Sequence, residues 1–146
     1  MSYAGAWCAL VFSGALALAG CSQAPIGPDS EARAGLGCVD DSRQCIDQRA
    51  ATLKALTGDK ERKWVREPAS PSAYASGVRM YAFKLRKKEL TCDELAIGRR
   101  EADAAAPTLR GPGGAGLTPA QVSRGVLFGQ EVARELAGEH GRRCKA

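Results

Sequence analysis

Residues 118–139 read TPAQVSRGVLFGQEVARELAGE, and the fold turns on this stretch. Thr118, Pro119 and Gln121 form a capping box with proline in the first turn, which predicts a helix running to about Glu139. Val122, Val126, Gly129, Ala133 and Leu136 recur every three or four residues and mark its inner face. Gly125, Gly129 and Ala133 are small enough to admit a close neighbour. The preceding loop, residues 110–117, contains Gly111, Pro112, Gly113, Gly114 and Gly116 and reads as a flexible helix connection. It lacks the Gly-Lys-Ser/Thr ending of a phosphate loop, and no strand pattern precedes it.

Helix signals continue towards the amino terminus. Thr91 and Glu94 form another capping box, and the third helix turns Cys92, Leu95, Ala102 and Ala106 inward until Pro107 is expected to stop it. The second helix begins with Ser70 as cap and Pro71 in its first turn, runs to about Lys88, and presents Tyr74, Val78, Tyr81 and Leu85 as a core stripe. Ala73, Ser76, Gly77, Met80 and Phe83 make a lesser stripe on another side. It is either a second buried face or a patch left for a partner, so Met80 and Phe83 are a candidate partner face. The first helix opens near Asp40, Asp41 or Ser42 and closes at Gly58, with Val39, Ile46, Ala50 and Leu53 inward. Residues 59–66, highly charged around Trp64, form a turn or short helix. With no repeat and no strand alternation, residues 38–146 are expected to be an all-α domain, a small up-down-up-down four-helix bundle.

The chain has 146 residues and a formal charge of +5, all of it beyond residue 20. One domain with a mostly aliphatic core follows, since the aromatics past residue 20 are Trp64, Tyr74, Tyr81, Phe83 and Phe128. Lysine and arginine do not cluster with stacking aromatics, so nucleic acid is not an expected partner. The run Lys84, Arg86, Lys87 and Lys88, and the trio Arg142, Arg143 and Lys145, fall at helix ends where the dipole favours cations.

Residues 6–18, AWCALVFSGALAL, form an uncharged run shorter than the roughly 20 residues that a spanning helix needs. Its length is that of a signal peptide, although residues 1–7 lack the usual positive charge. Leu18, Ala19, Gly20 and Cys21 follow, and these four positions resemble the lipobox of bacterial lipoproteins. The resemblance implies a signal peptide over residues 1–20, cleavage before Cys21 and lipid on that cysteine. Residues 21–37, rich in Gly, Pro and Ala, would be a flexible tether. Two or three acyl chains such as palmitate give lasting attachment, because each buried methylene contributes about 0.8 kcal/mol. By the same resemblance, Ser22 in place of aspartate favours the periplasmic face of the outer membrane over the inner membrane.

Four other cysteines fall in the exported part, Cys38, Cys45, Cys92 and Cys144, an even number that predicts two disulfides. If Cys38 and Cys45 both lay on a helix they would stand about 10 Å apart, too far to bond. In an up-down bundle all four share one end. The expected bridges therefore join Cys38 and Cys45, in either order, to Cys92 and Cys144. No pair of cysteines has zinc-finger spacing, and neither metal nor cofactor is expected.

Catalytic chemistry is sparse. His140 is the single histidine, at the end of the fourth helix, and no Gly-x-Ser-x-Gly motif accompanies it. Glu131 and Glu135 stand one helical turn apart, which is also how an exposed helix carries solvated acids. The function expected is that of a membrane-anchored envelope lipoprotein whose noncatalytic helical domain binds an envelope protein or cell-wall component, or serves structurally. The alternative is a small envelope enzyme acting on a polysaccharide. A deep carboxylate-lined cleft would favour the enzyme, and an apolar groove would favour binding.

Overall fold

Ser42 begins the regular structure, its hydroxyl accepting from the Cys45 N–H as the cap of helix α1, Arg43–Gly58. The computed structural model describes residues 33–144; the expected signal peptide, Cys21 and residues 22–32 of the tether lie outside the described residues. Ser70 caps α2, Pro71–Ser76, and Gly77 separates it from α3, Val78–Arg86. The Thr91–Glu94 capping box opens α4, Cys92–Arg110, and the Thr118–Gln121 box opens α5, Pro119–Arg143. Short 3-10 turns at Ala34–Leu36, Lys63–Arg66 and Pro112–Gly114 complete an all-α bundle with no strand among the described residues.

Helices α4 and α5 form the spine, an antiparallel hairpin held closely by small residues. A Cβ on Gly129 would stand 2.8 Å from that of Ala105, and one on Gly98 would stand 3.1 Å from a side-chain carbon of Leu136 and 2.6 Å from a ring carbon of Phe83 on α3. Cys92 and Cys144 close the open end of the hairpin with a disulfide, Cα to Cα 5.7 Å. Helix α5 runs past the expected Glu139 to Arg143, with Cys144 as its cap. Pro107 does not stop α4: it occupies the last turn, Gly111 N–H still bonds to its carbonyl, and Leu109 is fully buried beyond it.

The second expected helix is broken in two. Gly77 has φ +74°, a left-handed conformation that glycine adopts without the steric cost of a side chain. After this break α3 turns Met80, Ala82 and Phe83 fully inward, leaving Tyr81 42% and Leu85 51% exposed. The stripe expected to be core is thus half outward, and Met80 and Phe83 are core residues rather than a partner face. Phe83 meets Trp64 edge-on at 4.7 Å. Each such buried side chain contributes about 1.5–3 kcal/mol.

Helix α1 is rotated in the same sense. Cys45, Thr52 and Leu56 are buried, while Ile46 is 45% exposed and Ala50 is exposed. The cause is the chain's own preceding segment, which lies along the Cys45–Thr52 side. Gly35 donates its N–H to Thr52 Oγ1 at 3.0 Å and packs where a Cβ would come within 2.5 Å of the Gln48 carbonyl oxygen.

The expected cysteine pairing is also corrected, for the bridges are Cys38–Cys45 and Cys92–Cys144. Because α1 starts at Arg43, Cys38 precedes the helix and folds back to a Cα separation of 5.3 Å, so the helical spacing limit does not apply. Nor do the four cysteines share an end. Val39 beside the first bridge accepts from Arg124 and Gln121 in the opening turns of α5, whereas the second bridge lies at its finish, about 30 Å away at 1.5 Å per residue. The start of α1 accordingly meets the start of α5, contrary to the up-down-up-down order.

Candidate functional site

Helix α1, the Gly77 break with the start of α3, and α5 meet at one cleft. Arg49, Ala50 and Leu53 form one wall, Gly77, Val78 and Tyr81 the other, and Arg124, Gly125 and Phe128 of α5 line the remainder, enclosing about 440 Å³. The Tyr81 and Phe128 rings lie 6.2 Å apart within it. Its volume and apolar lining with a few convergent polar groups are those of a binding cleft, and none of its lining residues is a carboxylate.

Two guanidiniums stand at the rim. Arg49 donates to the backbone carbonyl of Asp40 at 2.6 Å, and Arg124 to that of Val39 at 2.9 Å. Both also approach the Asp41 carboxylate, Arg124 at 3.2 Å and Arg49 at 3.6 Å, and that side chain is 73% exposed. The segment between the first disulfide and α1 is thereby strapped to both helices, holding the rim in place.

Behind the α3 wall a buried ion pair fixes the helix. Arg79 donates from Nε and Nη2 to the two oxygens of Glu101 at 2.7 and 2.5 Å, and to the backbone carbonyls of Trp64 and Glu67 at 2.7 and 2.9 Å. Its guanidinium also lies 5.6 Å from the Trp64 ring. Burial pushes the Tyr74 hydroxyl upward in pKa, the Glu101 charge adds to this, and Arg79 opposes it. The sequence signal for the pair was a lone charge on each apolar helix face, Arg79 four before Phe83 and Glu101 four before Ala105. Sequence reasoning passed over both.

Glu131 and Glu135, one turn apart on α5, are tied to cations. Glu131 bonds to Lys84, and Glu135 bonds to Lys84 at 3.0 Å and to Lys87 at 2.5 Å. Lys87 first and Lys84 second hold the Glu135 carboxyl below the usual range, the opposite of what a general acid needs. His140 is half-buried in a separate shallow groove with Ala96, Arg99, Arg100 and Asp103, which no serine or cysteine lines. Among the described residues there is no cluster of three metal-ligating side chains, and no helix is long and apolar enough to cross a membrane. Comparison with protein-family models, curated proteins and solved structures finds no match to this chain.

Proposed function

We propose that this chain is a lipid-anchored envelope protein whose helical domain binds a partner without catalysing a reaction. The binding reading is carried by the cleft between α1, α3 and α5, where side chains with core-like helical spacing remain open beneath two arginines. The ion pairs of Glu131 and Glu135 with Lys84 and Lys87 give no support to the alternative of a polysaccharide-cleaving enzyme, whose general acid requires a raised pKa where that of Glu135 is lowered. The anchoring reading rests on Leu18, Ala19, Gly20 and Cys21. Two disulfides support export, since such bonds persist in oxidising compartments. A tether ending at Cys21 would keep the domain near the periplasmic face of its membrane, the outer one favoured by Ser22. Metabolic labelling with palmitate tests the anchor: the wild-type chain should incorporate label and fractionate with membranes, and Cys21→Ser should do neither. Label retained by Cys21→Ser, or absent from the wild type, would refute it.

A further inference from the structure

The cleft joins two stripes that the sequence spaces as core faces. On α1 these are Ile46, Ala50 and Leu53, and on α3 Val78, Tyr81 and Leu85. Each spans eight residues, seven steps of 1.5 Å, or about 10 Å and two helical turns. Ala50, Leu53, Val78 and Tyr81 line the cleft; Ile46 and Leu85 extend the stripes by a turn and are 45% and 51% exposed. Apolar residues gathered from three helices around one cleft mark an interaction surface, unlike apolar residues scattered singly.

From this arrangement we infer that the cleft receives an amphipathic helix of a partner protein, its apolar residues spaced i, i+3 or i+4, and i+7, with a carboxylate against Arg49 and Arg124. The inference rests on the binding reading above. Two helical stripes flanking a groove accommodate a third helix as helical bundles do, and the described residues offer no sheet edge to which an extended peptide could add a strand. The charge of the occupant follows from the rim. Arg49 and Arg124 line the cleft and no acid does; Asp41, which pairs with both, and Asp40, whose charge meets that of Arg49, stand outside it, and Arg124, with its side chain 48% exposed, keeps donors for an acidic partner. A small amphiphile would leave Ile46 and Leu85 uncovered. A second copy related by a two-fold axis would set the same arginine-rimmed surface against itself.

Site-specific crosslinking of the full chain in its own cells tests the inference. A photoreactive phenylalanine analogue would replace Tyr81, with the same analogue at Arg99, in the separate groove of α4, as control. The expected result is an adduct at position 81 alone, joined to a peptide of one protein that has the stated apolar spacing and an Asp or Glu within a turn of it. Arg124→Glu should lower adduct yield about tenfold, as should Leu85→Asp, which alters a side chain already half in solvent. No adduct above the control overturns the binding reading together with the helix. An adduct to lipid, glycan, a second copy or a peptide lacking that pattern leaves binding standing and overturns the helical partner. Undiminished yield in both variants overturns the docking geometry.

Discussion

Replacing Arg79 by alanine leaves the Glu101 carboxylate buried without its cation, and the Trp64 and Glu67 carbonyls without their donors. Arg79 is 2% exposed and Glu101 8%, so water cannot easily restore what is lost. Breaking a buried pair from one side costs about 3–5 kcal/mol. For a domain near 110 residues, at about 4 °C per kcal/mol, the melting temperature should fall by about 12–20 °C. Thermal and urea denaturation followed by circular dichroism would measure this. The double variant Arg79→Met with Glu101→Leu removes the stranded charge and fills its volume. It should lose only the two carbonyl bonds, about 1–3 kcal/mol. If Arg79→Ala melts within 3 °C of wild type, or the double variant is less stable than the single, the buried pair does not hold α3 against α4 as described.

Four further outcomes are expected. Peptide mapping without reduction should recover Cys38 linked to Cys45 and Cys92 linked to Cys144; removing the second bridge, with a sequence separation of 52, should cost about 4 kcal/mol on the chain-entropy model. Gly129→Leu should destabilise by about 1–3 kcal/mol in a thermal melt, because even a Cβ there meets Ala105 at 2.8 Å and the Ala102 carbonyl at 3.0 Å. Phe83→Ala should cost about 3–5 kcal/mol, whereas Tyr81→Ser should cost less than about 1, a contrast in melting that reverses if Tyr81 rather than Phe83 faces the core. Stability should also fall in acid. Burial raises the Glu94 carboxyl, but the Thr91 N–H and then Arg62 outweigh it, so its pKa is lowered; Lys87 and Lys84 lower Glu135. A depressed folded pKa stabilises above the unfolded value of about 4.3 and is lost as pH falls through the folded one. Melting temperatures should thus fall as pH drops below about 4.5, and a flat profile down to pH 3 would count against these pairs.

Helix starts were legible because caps are local chemistry. Ser42, Ser70, Thr91 and Thr118 each accept from the N–H three residues on, as their sequences indicate. The inner face of α5 was legible in the main: Val126, Gly129, Ala133 and Leu136 are buried as expected, whereas Val122 is half-buried and the fully buried Val132 lies off the expected stripe. Helices α1 and α3 each offer two, and nonlocal contacts choose between them. Residues 34–38 cover the Cys45–Thr52 side of α1, with a threonine–backbone hydrogen bond that an apolar count overlooks. Gly77 breaks the second helix although a glycine inside a helix costs only about 1 kcal/mol, too little to announce a break. The cleft was hidden for a related reason: Ala50, Leu53 and Tyr81 have the spacing of core residues yet stay at least partly open, and periodicity does not distinguish a face covered by the chain from one left open.

Intact-mass measurement of the protein extracted from membranes tests the lipid anchor and the oxidised helical domain together. The expected species begins at Cys21, carries two or three acyl chains there, and lacks the four thiol hydrogens of Cys38, Cys45, Cys92 and Cys144. A chain that retains residues 1–20, or one that begins elsewhere without lipid, would contradict the anchored envelope protein proposed for this sequence.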